Sequence, residues 1–156
     1  MSSEENSKDK VFHTYEDVYE VFATYIVKQE DRDLIKKSYL KAKECHKGIF
    51  RKSGEPYIHH LIEVAYIVTK LQAGPNTIAA AFLHDIVEDT NTSVEDIKKE
   101  FNEEIANIVD AVTKIQRLKL SHRTSNEMDA EESEKIKAEE DISVVFVDFM
   151  YLFVVT

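Results

Sequence analysis

The sequence is poor in the residues that interrupt helices or stabilise a fold covalently. Its 156 residues include three glycines and two prolines, and such a shortage of turn formers favours a mostly helical chain. The single cysteine, Cys45, excludes an internal disulfide framework and is typical of a reducing compartment. The polar start, MSSEENSKDK, contains no apolar core of a secretory signal. We therefore expect a cytoplasmic protein.

Basic residues are also scarce relative to acids. The chain has 20 lysines and arginines against 30 aspartates and glutamates, a formal net charge of −10. A molecule of this charge repels phosphate backbones, so we expect no nucleic-acid binding. A small anionic substrate still fits if basic side chains cluster locally or a metal ion supplies positive charge.

The sequence has no apolar run long enough to cross a membrane. Its most apolar segment covers residues 142–156 and contains Asp148, whereas a transmembrane helix needs roughly 20 residues. We therefore expect a buried terminal segment and no membrane association. Before it, residues 127–141 are dominated by acids, a composition typical of a solvated helical face.

Apolar residues recur at helical spacing through most of the chain. The fourth predicted helix is apolar all round, which indicates a buried central helix. Since no strand alternation, repeat or linker is seen, we predict one all-α domain over residues 15–156 after a disordered segment, 1–14. The predicted helices span about 15–28, 31–48, 57–73, 76–88, 93–101 and 102–115.

The segment HDIVED ends the predicted central helix with four polar side chains. In a continuous helix, residues four apart lie above one another, so His84 would stand over Glu88 and Asp85 over Asp89. Burying such groups without partners is costly, and a divalent cation would satisfy them. The segment is equally consistent with a polar helix end that points into water.

Histidines elsewhere could complete a metal site. His60 shares an apolar stripe with Val64, which places it inward, whereas His59 lies on the polar side. One inward histidine is typical of a hydrogen-bonded core residue. Together with His84 and Asp85, however, His60 forms the mixed imidazole and carboxylate set that suits manganese, iron or zinc. His46 is a weaker third candidate.

A basic loop lies between the second and third predicted helices. It contains Arg51, Lys52 and Ser53, followed by Gly54. Two adjacent bases in a glycine-containing loop can hold an anionic group or stack on a base. A solvated pair of loop charges explains the same residues equally well.

Three segments together carry a resemblance to a known family: HKGIFRKSGEPYIHHLIEVA, TIAAAFLHDIVEDT and FNEEIANIVDAVTK. They resemble the hydrolase domain of the RelA/SpoT (Rel) family, whose members make and degrade guanosine tetra- and pentaphosphate in the bacterial stringent response. The resemblance runs from about Tyr15 to Lys114, with Leu61 in place of the family's usual proline. It implies an all-α HD-domain bundle.

The resemblance also implies a reaction and residue roles. The reaction is metal-dependent removal of pyrophosphate from the ribose 3′ position of guanosine tetraphosphate (ppGpp) or pentaphosphate, giving GDP or GTP. One Mn²⁺ ion per chain is expected as the cofactor. The implied roles are metal ligation by His60, His84 and Asp85, water handling by Glu88 and Asp89, and nucleotide contacts by Arg51, Lys52 and Ser53.

The last predicted helix departs from the family pattern DIRVxxxKLADRLHNM, whose Asp completes the metal site. An ungapped count from Asp141 puts Tyr151 at the ligand position and Val155 at a nucleotide-binding Asn. Asp148, three residues earlier, could replace the ligand only if the helix shifted its register. We therefore expect a C-terminally truncated or frame-altered member with impaired activity.

Two other functions fit the same residues. One is a catalytically inactive fragment that binds nucleotide or regulates, and it would keep Arg51 and Lys52 without turnover. The other is an HD phosphohydrolase acting on a different nucleotide, against which the RKSGEPYI segment argues.

Overall fold

The computed structural model describes residues 12–126, and side chains up to residue 118. Within this part of the chain the backbone is helical, and the only extended pairing is an isolated antiparallel bridge between Phe50 and Pro56. The prediction of an all-α fold is therefore confirmed. The helices are α1 (Tyr15–Phe22), α2 (Gln29–Cys45), α3 (Tyr57–Lys70), α4 (Pro75–Leu83), α5 (Ile86–Asp89), α6 (Val94–Glu100) and α7 (Glu103–Asn126).

Short polar side chains begin three of these helices. Thr14 and Ser93 each form a capping box, in which the hydroxyl accepts from the third helical amide and an aspartate there accepts from the cap's own amide. Asn102 accepts from the amide of Ile105 at 2.8 Å and so starts α7. The predicted starts near residues 15, 93 and 102 are therefore confirmed.

The first helix ends earlier than the sequence suggested. It stops at Phe22 rather than near Lys28, and Arg32 explains the stop. Its guanidinium donates to the carbonyl oxygens of Ala23 at 3.1 Å and Ile26 at 2.7 Å. These bonds provide side-chain partners for carbonyls beyond the helix end.

Helix α4 forms the centre of the bundle, as predicted. Every residue from 77 to 83 is buried, and the helix packs against α2, α3 and α7. Its three consecutive alanines, Ala79, Ala80 and Ala81, have small side chains that leave room for neighbouring helices. Since α4 is buried on all sides from residue 77 to 83, His84 and Asp85, which follow it, also lie in the core.

The central helix does not continue to Glu88, so the expectation of one helix over 76–88 is wrong. It ends at Leu83, His84 and Asp85 form a turn, and the short helix α5 begins at Ile86. Nδ1 of His84 lies 2.7 Å from the carbonyl oxygen of Ala81. That carbonyl would accept from the Asp85 amide in a continuous helix, so the side chain competes with the helical ladder.

The C-terminal region is described only in part. Helix α7 runs to Asn126, beyond the predicted end near residue 115. Among the helices of residues 12–126, none has the length and apolarity needed to span a membrane. The acidic stretch 127–141, the apolar stretch 142–156, and with them Asp148 and Tyr151, lie outside the described residues.

Candidate metal centre

Two helices bring the predicted ligands together in the core. His60 lies in the first turn of α3, and His84 with Asp85 forms the turn after α4. Packing of α3 against α4 places one ligand atom from each residue within 4.8 Å of the others. The three residues are 5%, 0% and 3% exposed. Residues distant in the sequence therefore form one buried cluster.

Asp85 is the centre of this cluster. Its Oδ2 lies 3.1 Å from His84 Nε2 and 3.7 Å from His60 Nε2, and it accepts a 2.6 Å hydrogen bond from the Tyr57 hydroxyl. Burial alone would raise the pKa of this carboxyl, but His84, His60 and Tyr57 outweigh it and hold the pKa well below its usual range. Asp85 is therefore a buried carboxylate anion.

The two histidines respond differently to the same carboxylate. Burial lowers the pKa of His60 to about 3, despite the opposing charge of Asp85, so its ring is neutral. For His84, burial also favours the neutral form, yet Asp85 and the hydrogen bond to Ala81 raise its pKa overall. The Asp85 carboxylate thus favours the protonated, positively charged form of the His84 ring beside it.

The cluster fits a divalent transition-metal ion. His84 uses Nδ1 for the Ala81 carbonyl, which directs Nε2 toward Asp85 and His60. Two imidazoles and one carboxylate are a common ligand set for such ions. Three protein ligands leave coordination positions for water or substrate, as catalytic sites require. The described residues therefore contain a candidate metal-binding group.

Arg51 is the member of the basic loop that reaches this cluster. Its Nη1 donates to His60 Nδ1 at 3.1 Å. Because arginine can only donate, the neutral His60 ring then carries its proton on Nε2. A metal ion on that nitrogen would replace this proton, and Nδ1 would need an acceptor instead of Arg51. Metal binding at His60 and the position of Arg51 are thus linked.

The loop is held in a tight turn that presents two more residues to solvent. Gly54 has φ of +98°, a conformation that glycine adopts without strain, and its amide donates to the Arg51 carbonyl at 2.9 Å. Lys52 and Ser53 are exposed beside the half-buried Arg51. The loop therefore combines one base at the buried cluster with two polar groups open to solvent.

The predicted acidic pair lies outside the buried cluster. Glu88 and Asp89 are exposed on α5, which begins after the turn at His84 and Asp85. Glu88 accepts from Arg117 Nε at 2.6 Å, and Asp89 Oδ2 lies 3.2 Å from His46 Nε2. The charge of Asp89 still contributes to the raised pKa of His84, so Asp89 acts electrostatically on the cluster.

Sequence reasoning missed Tyr57 and Arg117, the partners of Asp85 and Glu88. Tyr57, which donates to Asp85, lies three residues before His60 on the same helix. That spacing puts both side chains on one face, so it could have indicated Tyr57. Arg117 lies far from Glu88 in the sequence, and no local pattern pointed to their contact.

The sequence matches a protein-family model as well. Residues 39–150 match the model described as the HD domain. The chain belongs to the HD-domain family. The bundle, with its His84-Asp85 turn at the end of the buried helix α4, is thus the fold of this HD domain.

Similar curated proteins come from several bacteria. The chain is 40% identical over 120 residues to the GTP pyrophosphokinase of Myxococcus xanthus, covering 75% of this chain and 16% of that protein. It is 42% identical over 108 residues to the guanosine-3′,5′-bis(diphosphate) 3′-pyrophosphohydrolase of Haemophilus influenzae (68% and 16%). It is 33% identical over 137 residues to the bifunctional (p)ppGpp synthase/hydrolase SpoT of Escherichia coli (86% and 19%). The chain spans less than a fifth of the length of these relatives.

Proposed function

We propose that this HD domain hydrolyses ppGpp to GDP and pyrophosphate in the stringent response. The observation that carries the proposal is the buried cluster of His60, His84 and Asp85, with its ligand atoms within 4.8 Å of one another. Similarity to relatives named guanosine-3′,5′-bis(diphosphate) 3′-pyrophosphohydrolase supports the choice of substrate. The single cysteine, Cys45, supports a reducing, cytoplasmic location.

Manganese is the proposed cofactor, one ion per chain, held by His60, His84 and Asp85. When bound, such an ion supplies Lewis acidity toward a phosphoryl oxygen and lowers the pKa of water. The anionic Asp85 offers a donor atom to a cation, and the neutral His60 ring offers a second one once a cation displaces the proton on Nε2. Burial, and secondly the charge of Asp85, raise the pKa of the Tyr57 phenol, so the phenol keeps its proton. Its hydroxyl therefore donates to Asp85 and holds the carboxylate in place.

Glu88 and Asp89 are the proposed water-handling acids. Both are exposed at the edge of the cluster, so they can meet a water molecule that approaches from solvent. Water adds across the bond between the ribose 3′ oxygen and its diphosphate. The two carboxylates together orient that water. One of them accepts its proton and passes it to the ribose 3′ oxygen, which leaves as a hydroxyl when its bond to phosphorus breaks.

The basic loop is the proposed nucleotide contact. Arg51 lies at the cluster, while Lys52 and Ser53 are exposed next to it. Guanidinium and ammonium groups pair with phosphate oxygens or stack on a base. In a chain of net charge −10, this local positive charge would hold the anionic substrate against the general repulsion.

A second function is favoured by one feature of the sequence. Tyr151 stands at the position where the resemblance expects the fourth ligand, and Asp148 is only a weak substitute. If three ligands do not retain the ion, the chain is a nucleotide-binding or regulatory fragment without turnover.

Manganese-dependent release of pyrophosphate from ppGpp, with metal content measured on the same purified sample, tests the proposal. We expect turnover with about one manganese ion per chain. A folded, metal-free and inert protein would overturn the hydrolase proposal in favour of the regulatory fragment. A nucleotide panel completes the test, because preference for a substrate without a 3′-pyrophosphate would exclude ppGpp.

A further inference from the structure

His46 contacts one acid of the pair, Asp89, and makes three contacts that fix its ring. Its side chain is fully buried, and Nδ1 lies 2.9 Å from the carbonyl oxygen of Ala42. Nε2 lies 3.2 Å from Asp89 Oδ2. The ring also stacks on Tyr57, with centroids 5.0 Å apart and planes 11° from parallel. The imidazole is therefore fixed both at its edge and on its face.

The hydrogen-bond partners determine where the protons of His46 lie. A carbonyl oxygen only accepts, so Nδ1 must carry a proton and donate to Ala42, as histidines at helix C-termini commonly do. The contact between Nε2 and the Asp89 carboxyl then needs one further proton, on either group. His46 and Asp89 thus share a hydrogen bond whose position is set by the end of α2.

The two acids of the pair are consequently held very differently. Glu88 is bound by Arg117, whose side chain is 63% exposed, whereas Asp89 is bound by a ring with no exposed surface. A partner fixed by the core restricts its acid more than a mobile surface side chain does. Asp89 is the acid with a fixed position.

We propose that His46 is a positioning residue that holds the Asp89 carboxylate for the attacking water. The inference rests on the proposed hydrolase function, in which Asp89 handles that water. The same stack carries Tyr57, which donates to Asp85 at 2.6 Å. The stacked rings of His46 and Tyr57 therefore connect Asp89 on α5 with the buried Asp85.

Two substitutions separate the two nitrogens of the ring. The amide nitrogen of glutamine replaces Nε2, which contacts Asp89, while that of asparagine replaces Nδ1, the donor to Ala42. We expect His46→Asn to lower kcat for ppGpp by about tenfold or more, and His46→Gln to restore most of it. Both variants should retain the KM and manganese content of the parent chain.

Several outcomes would overturn the inference. A parent-like kcat in His46→Asn would show that the Asp89 contact has no role in turnover. Equal losses in both variants, or losses accompanied by lower metal content or a higher KM, would show that His46 only supports the fold.

A measurement on the metal-free chain separates this inference from the hydrolase proposal. With ¹⁵N-labelled histidine, the His46 signals are those missing from the His46→Asn spectrum. We expect a protonated Nδ1, and an Nε2 signal that shifts in Asp89→Asn but not in Glu88→Gln. An unprotonated Nδ1, or an Nε2 signal insensitive to Asp89→Asn, would overturn the inference even in an active enzyme. An inert parent chain with the expected spectra would overturn the hydrolase proposal, and with it the catalytic role of His46, but would leave the contact between His46 and Asp89 established.

Discussion

The candidate site has two parts that are close in sequence and opposite in environment. His84 and Asp85 are buried in the turn after α4, whereas Glu88 and Asp89, a few residues later, are exposed on α5. The interruption of the central helix separates them. The buried part is positioned by the packing of α3 and α4. The exposed part meets solvent, so its geometry depends on the partners that other helices provide.

Removing a buried ligand should have the largest effect. His84→Ala takes away one of three neighbouring donors, and we expect manganese affinity to fall by more than about 100-fold, beyond the loss typical of outer partners. Metal content after gel filtration measures this, with circular dichroism as a check on folding. His59→Ala, beside His60 but outside the cluster, is the control. A full equivalent of metal in His84→Ala would remove His84 from the site.

Changing an exposed acid should separate turnover from metal binding. Glu88→Gln keeps the buried cluster, so we expect normal manganese content and a kcat lower by about 10²- to 10⁴-fold, the usual contribution of an acid or base. Pyrophosphate release at saturating metal measures it. Glu103→Gln, an exposed glutamate on α7, should behave like the parent. Unchanged activity in Glu88→Gln would exclude it as the water-handling acid.

Removing a partner of the buried carboxylate should have an intermediate effect. Tyr57→Phe deletes the hydroxyl that donates to Asp85, and loss of such an outer contact typically weakens metal binding by about 10- to 100-fold. Manganese titration gives the affinity. Tyr25→Phe makes the same chemical change at a hydroxyl bound to the Ala73 carbonyl. If both variants bind equally well, Tyr57 does not support the site.

Adding the fourth ligand that the resemblance expects should strengthen manganese binding. If residue 151 reaches the cluster, Tyr151→Asp adds a fourth donor, and we expect manganese to bind about tenfold more tightly or better. Isothermal titration of the parent chain and the variant measures the gain. Tyr151→Asn, which is uncharged, is the matched control. Equal affinity in all three would mean that this position lies away from the metal.

The smallest effect should come from the loop that carries Arg51. Gly54 has φ of +98°, and a side chain in this region costs roughly 1–2 kcal/mol. We expect Gly54→Ala to lower the free energy of unfolding by about that amount. Gly74→Ala, at a glycine without positive φ and with open space around it, is the control. Denaturant unfolding of both variants decides, and equal stabilities would contradict the strain at Gly54.

Much of the fold was predictable because it depends on local chemistry. The capping residues Thr14, Ser93 and Asn102 act within three positions of themselves, and the apolar run of α4 can satisfy its side chains only by burial. The early end of α1 was not predictable, since it depends on Arg32 reaching back to two carbonyl groups. The roles of all the candidate site residues stay predictions: His60, His84 and Asp85 as metal ligands, Glu88 and Asp89 as water-handling acids, and Arg51, Lys52 and Ser53 as nucleotide contacts.

The sequence by itself determined which residues could form the site: an inward His60, the pair His84 and Asp85 at the end of an apolar helix, and a glycine-containing basic loop. Only the tertiary structure decided their environments. The His84 ring takes the Ala81 carbonyl and interrupts the helix, which leaves Asp85 buried and Asp89 exposed. The partners of these acids, Tyr57, His46 and Arg117, come from α3, α2 and α7. Their contacts arise from helix packing, because side-chain geometry between distant segments is not encoded in local spacing.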